Sequence, residues 1–170
     1  MNFKINIFAL LILSISIITI SVVFWIEFYE KINPCELCLY QRWPYYILIF
    51  LSIIVLLIKN IKEKIFISTL ISIILSISFL LAIYHTGIER GIWSSITTCS
   101  DFTKISTGDI DEFKKIILDT PIARCDLVSW KFLDFSLSNM NAILSLSLFV
   151  ISIMLNLEIL KKRGNKLNTK

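Results

Sequence analysis

INIFALLILSISIITISVVFWI, Ile5 to Ile26, carries no charged residue from end to end. A helix rising ~1.5 Å per residue needs roughly 20 apolar residues to cross ~30 Å of hydrocarbon, and this run is long enough. Three further runs share its character: Trp43 to Ile58, Ile65 to Tyr84, and Ala142 to Leu157. The runs from Trp43 and from Ala142 reach spanning length with their flanking residues. None shows the period-two alternation of a barrel strand, and inside a membrane only helices or closed barrels satisfy every backbone N–H and C=O. The expected fold class is an all-α membrane protein, a four-transmembrane-helix bundle with spans at approximately 5–26, 42–58, 65–85 and 140–160. Composition agrees, since the chain is 56% hydrophobic and only 18% charged, with a mean hydropathy of +0.78. These values lie outside the usual soluble range. Residues 1–170 read as a single integral membrane domain, and no nucleic-acid partner is expected.

Lys4 gives the first run a weak basic flank of the kind that precedes a signal peptide. The apolar part is too long for one and no A-x-A-like cleavage site follows it, so a retained first span is expected.

Orientation follows from lysine and arginine near the span ends. Lys59, Lys62 and Lys64 crowd the connection between the second and third spans, and Lys161, Lys162, Arg163, Lys166 and Lys170 follow the fourth. By contrast Glu27 to Gln41 holds only Lys31 against three acids, and Thr86 to Asn141 holds six basic residues against eight acids. The N and C termini are therefore expected to be cytoplasmic, with outer loops at approximately 27–41 and 86–139. Within the second loop, Ile110, Phe113, Ile116 and Ile117 fall on one helical face, which fits a short amphipathic helix at the membrane surface or packed on its neighbours.

That topology places all four cysteines, Cys35, Cys38, Cys99 and Cys125, outside the cytoplasm, where thiols oxidise. Three pairings are possible on paper; the short C-x-x-C spacing suggests Cys35 with Cys38 and leaves Cys99 with Cys125. In Asn33-Pro34-Cys35-Glu36-Leu37-Cys38, Asn33 matches an N-cap, Pro34 a first-turn proline and Glu36 a capping-box acid. A helix starting there would put both cysteines at its positive end, where a thiolate is favoured and makes a better leaving group. Pro44 permits a second reading, a kink or a fresh helix start at that position.

Arg42 reads in two ways: as a cation that stabilises a thiolate or a reduced cofactor, or as an interface anchor that snorkels beside Trp43, Tyr45 and Tyr46. His85, the only histidine, ends the third span on the same side. It reads either as a donor to a cofactor near the cysteines or as a hydrogen-bonded polar residue at a helix end. Glu89, one turn later, reads as a solvated loop acid. A zinc site is disfavoured because Cys99 and Cys125 are isolated rather than a second close pair, and no metal is expected. A c-type haem needs histidine where Leu39 stands, and a thioredoxin-like motif needs a βαβ context.

The run Cys35-Glu36-Leu37-Cys38-Leu39-Tyr40-Gln41-Arg42, with Pro44 after it, resembles the first outer loop of the disulfide bond formation protein B (DsbB) family, quinone-linked membrane oxidases of bacteria. Two more blocks resemble the same family in order. Tyr84-His85-Thr86-Gly87-Ile88-Glu89 leads through Trp93 to Thr97-Thr98-Cys99-Ser100, and Arg124-Cys125-Asp126 leads through Trp130 to Ser136 and Asn141. Asp134 departs from the pattern, standing where members usually carry glycine at the turn into the fourth span.

The resemblance implies a multi-pass protein of the bacterial inner membrane that reoxidises a periplasmic thioredoxin-fold partner, DsbA-like, and passes the electrons to ubiquinone or menaquinone. It implies that Cys99 forms the mixed disulfide with the partner, that Cys125 exchanges with Cys35, and that Cys38 faces the quinone with Arg42 and His85 beside it. The second loop leaves the general and dedicated-partner branches of the family both open. The rival reading from another class is a non-catalytic four-span protein whose outer loops carry structural disulfides. A further rival resembles vitamin K epoxide reductase, which places its quinone-facing C-x-x-C late in the chain, whereas here the pair precedes the second span.

Overall fold

The computed structural model describes residues 2–31, 33–93, 125, 131–132 and 135–168. Four helices long and apolar enough to cross a membrane dominate it: α1 (Asn2–Glu30), α2 (Glu36–Leu57), α3 (Ile61–Glu89) and α4 (Leu137–Asn168). Two-residue strands β1 (Lys131–Phe132) and β2 (Phe135–Ser136) pair antiparallel immediately before α4, with Lys131 opposite Ser136 and Phe132 opposite Phe135. Cys99, Arg124, Asp126, Trp130 and Asp134 lie outside the described residues, as does the amphipathic segment expected around Ile110 to Ile117.

The helices are longer than the expected spans. At ~1.5 Å per residue, the 29 residues of α1 and of α3 exceed the hydrocarbon thickness, so their ends project beyond it. Isoleucine-rich runs such as α1 have modest helix propensity in water. In lipid the helix wins because it satisfies every backbone group within the segment. Residues at all angles around the axis are apolar, and Leu10, Ile18, Phe50, Phe66, Met154 and Leu157 face outward where lipid would lie.

Inside, Ile5, Phe8, Ala9 and Ile12 of α1 meet Tyr45, Leu48 and Val55 of α2, Ile65, Ile67, Ile71 and Leu75 of α3, and Leu148 and Ile159 of α4. Because lipid tails are as apolar as these side chains, helix association in a membrane depends on close packing and interhelical hydrogen bonds. Serines supply both between α3 and α4. Ser72 Oγ lies 2.7 Å from Ser152 Oγ, Ser78 Oγ lies 3.0 Å from Ser145 Oγ, and Asn156 Nδ2 donates to Ser72 Oγ at 2.9 Å.

One feature of α2 corrects the sequence reading, and a second decides between alternatives that the sequence left open. The helix begins at Glu36 rather than beside Asn33, because Cys35 is the N-cap. Its backbone is extended, its thiol accepts from Cys38 N at 3.3 Å, and its carbonyl accepts the first helical bond from Leu39 N at 3.1 Å. Glu36 thus stands at the first helical position, not the third. Nor does a new helix start at Pro44: α2 runs through it, eight residues after its beginning, leaving the Tyr40 carbonyl without its usual N–H partner.

The other end of α3 is closed by a Schellman motif. Gly91, at φ +69°, takes the left-handed position; its N–H donates to Ile88 O at 2.9 Å, and Ile92 N donates to Gly87 O at 2.8 Å. The chain is thereby turned back over its own helix. Trp93 lands on Gly87 and stacks with Tyr84 at 6.0 Å between centroids.

Candidate functional site

The N-terminus of α2 and the C-terminus of α3 meet at one end of the bundle and bring their polar residues together. Cys35 Sγ lies 2.7 Å from Cys38 Sγ and 3.6 Å from His85 Nε2. Cys125, arriving from the second loop, is buried in the same cluster with Cys35, Leu37 and Ile88, and Cys38 and Tyr84 pack against it. Residues distant in sequence thus share one pocket of side chains, with Cys35, Cys125 and His85 all buried.

Cys35 holds its proton strongly. Its hydrogen bond with Cys38 and its burial push the thiol up from 9.0 to about 12, against an opposing hydrogen bond from His85. The exchange-competent form therefore needs donors beside the sulfur, and the Cys38 backbone N–H and the His85 side chain are both in place.

The histidine is held on both sides. Gln41 Nε2 lies 2.8 Å from His85 Nδ1, and Asn141 Nδ2 of α4 donates to Gln41 Oε1 at 2.7 Å. Tyr45 donates its hydroxyl proton to Asn141 Oδ1, extending the chain inward. On the other side Glu89 Oε1 lies 3.7 Å from His85 Nε2. Glu89 is not the solvated loop acid expected: it belongs to α3, its side chain is 8% exposed, and its Oε2 accepts from the hydroxyls of Ser136 and Ser138. The longer α3 carries it one turn past His85 and under the start of α4.

Arg42 turns inward, unlike Trp43 and Tyr46, which stay exposed. Its guanidinium donates to Glu27 Oε2 of α1 at 2.7 Å and stands 5.1 Å from the centre of the Phe24 ring. The snorkelling anchor reading is thereby corrected, because a carboxylate and an aromatic face compensate the charge inside the bundle. Its Nε is buried and makes no hydrogen bond among the described residues.

Of the expected site residues, the fold brings Cys35, Cys38, Cys125 and His85 together. It directs Arg42 to α1 instead, and Cys99 lies outside the described residues. Gln41, Tyr45, Asn141 and Glu27 were not anticipated as part of the site. Their signal was legible as spacing: Gln41 and Tyr45 are four apart on α2, Asn141 and Ser145 four apart on α4, so each pair lies on one face. Polar residues within apolar spans pair across helices and mark function.

Cys35, Cys38 and His85 also offer three ligand atoms within 4.8 Å of one another. Two thiolates ~2.3 Å from a tetrahedral ion stand ~3.7 Å apart, and the 2.7 Å observed is closer than that. The arrangement suits a bond made and broken between the sulfurs.

The family model for disulfide bond formation protein DsbB matches residues 5–155. The chain belongs to the DsbB family. An uncharacterized protein of Rickettsia prowazekii (strain Madrid E) is 33% identical over 142 residues, covering 83% of this chain and 81% of that relative. No solved structure matches the chain. Membership in the DsbB family, with four helices able to span a membrane, makes this a multi-pass disulfide-forming membrane oxidoreductase.

Proposed function

We propose that the protein reoxidises a periplasmic, DsbA-like thioredoxin-fold oxidase and delivers the electrons to a membrane quinone in the bacterial inner membrane. The observation that carries this reading is the burial of Cys125 beside Cys35 and Cys38, which puts a second-loop thiol within reach of the first-loop pair. A partner thiolate attacks Cys99 of a Cys99–Cys125 disulfide and releases Cys125, which attacks Cys35 of the Cys35–Cys38 disulfide and releases Cys38. The partner's second thiol then frees Cys99, Cys99 attacks Cys125 and releases Cys35, and the Cys35–Cys38 bond re-forms as the two electrons pass to the quinone. Each exchange only moves an oxidising equivalent between sulfurs and cannot create one. A terminal acceptor is therefore required, and every ~30 mV by which its potential exceeds that of the disulfides adds ~1.4 kcal/mol of drive.

The residues fit a quinone. Arg42 Nε, buried and without a hydrogen bond among the described residues, would donate to a carbonyl oxygen, and His85 stands beside the sulfurs that must be oxidised. When bound, ubiquinone or menaquinone supplies the two-electron acceptor. Arg42 would hold and orient it, with Glu27 keeping the guanidinium fixed. Cys35 and Cys38 provide the electrons.

The test is partner-dependent quinone loss. Purified protein with either quinone and a reduced thioredoxin-like partner should consume quinone, and absence of partner-dependent loss with both quinones sinks the proposal. Cys38→Ser should abolish quinone reduction while leaving folding largely intact, whereas a merely structural disulfide predicts destabilisation as its main effect. Cys125→Ser should trap the partner on Cys99; an adduct on Cys35 instead would overturn the order of exchanges.

A further inference from the structure

The chain of hydrogen bonds behind His85 has a direction. A glutamine side-chain nitrogen can only donate, so His85 Nδ1, 2.8 Å from Gln41 Nε2, accepts. The proton of the neutral ring then resides on Nε2. Gln41 is oriented by its own acceptor bond, since its Oε1 receives Asn141 Nδ2 at 2.7 Å. Asn141 is oriented in turn because its Oδ1 receives the Tyr45 hydroxyl and, at 3.3 Å, that of Ser145. At the far end Nε2 faces Cys35 Sγ at 3.6 Å and Glu89 Oε1 at 3.7 Å. Glu89 is occupied through its other oxygen by Ser136 and Ser138.

We propose that Gln41 and Asn141 are positioning residues for disulfide exchange at Cys35: they hold His85 as the Nε2–H tautomer, with that N–H directed at the Cys35 sulfur. The inference rests on the exchange role given to Cys35 above. When an incoming thiolate attacks the sulfur bonded to Cys35, the old S–S bond breaks and Cys35 departs with its electron pair. The attacker's pair forms the new bond, so negative charge passes from the attacker to Cys35 and no proton changes hands. The Nε2–H stabilises that departing charge, as a preoriented donor in a buried site does. The Asn141 link also ties the site to α4, whose Ser138 meets Glu89 and Thr86 at the same end.

His85 is the only histidine, so one labelled ring reports the site without assignment. The full chain with ¹⁵N-histidine, reduced and in nanodiscs, should show a proton on Nε2 and none on Nδ1 at a pH where the ring is neutral. Gln41→Glu places an acceptor-only carboxylate against Nδ1 and should invert the tautomer. Asn141→Asp should do the same from one residue further away, since the Gln41 amide then turns its nitrogen to the new carboxylate and its oxygen to Nδ1. In both variants release of a mixed disulfide from Cys35 should slow about tenfold, the scale of a lost hydrogen bond to a charged group.

A wild-type ring protonated at Nδ1, or a tautomer unchanged in both variants, overturns the proposal. A residue that merely supports the fold would lower stability without moving the proton. The tautomer is read with neither quinone nor partner, so its failure leaves the oxidase reading standing. Absent quinone loss alongside the expected tautomers sinks that reading alone.

Discussion

Cys35 combines two properties that pull in opposite directions: its sulfur lies 3.6 Å from His85 Nε2, and it keeps its proton to about 12. Raising the value from 9.0 to about 12 cuts the thiolate fraction at pH 8 about a thousandfold. The greater basicity of the thiolate regains roughly twentyfold in nucleophilicity, because the Brønsted slope is about 0.4–0.5. Cys35 in the reduced protein should therefore react with iodoacetamide roughly fiftyfold more slowly than an ordinary thiol, even before shielding. The sign is fixed by which form reacts: the rate should keep climbing as pH rises past 9.0 toward about 12, where an ordinary cysteine would already have levelled off. Site-resolved mass spectrometry after timed alkylation measures this. A rate that plateaus near the ordinary value would show that neither burial nor Cys38 restrains the proton.

At the scale of elements, the end of α3 positions the site through contacts that no periodicity announces. Gly87 has a packing role, since a Cβ there would collide with the Trp93 ring at Cε3. Gly87→Ala should cost about 1–3 kcal/mol, as overpacked sites do. Removing the obstructing ring in Gly87→Ala/Trp93→Ala should erase most of that cost, so the two changes should be strongly non-additive in thermal unfolding. Additive effects would mean that Trp93 does not rest on Gly87 in solution.

The same region shows what the sequence could and could not reveal. Four spans were legible because hydrocarbon demands long apolar helices whatever their neighbours do. The cysteines and His85 were legible because their types are scarce and chemically distinctive. The start of α2 was misread because Asn33-Pro34 has good capping chemistry, and only the extended Cys35 backbone decides which carbonyl begins the helix. Glu89 was misread because its solvent exposure depends on Ser136 and Ser138, which arrive from across the second loop. Gln41 and Asn141 meet across 100 positions of sequence, a tertiary pairing that neither helix specifies alone.

Viewed as a whole molecule, the bundle has two chemically different ends. The thiols, His85 and Glu89 gather where α2 begins and α3 finishes. At the opposite end Lys4 pairs with Glu158 at 2.8 Å, Lys162 reaches the same carboxylate at 2.8 Å, and buried Lys64 is hydrogen-bonded to Asn6. Basic residues near span ends favour the cytoplasmic side, which would set the thiol end in the oxidising compartment. This orientation is tested with two single replacements at exposed positions, Ile92→Cys near the thiols and Lys62→Cys near the basic end, in a background lacking the native cysteines. In intact spheroplasts a membrane-impermeant maleimide should label the first and spare the second until the membrane is opened. The opposite pattern would put the thiols in the reducing cytoplasm. Stable Cys35–Cys38 and Cys99–Cys125 bonds would then be disfavoured, and a periplasmic partner would have no access to either pair.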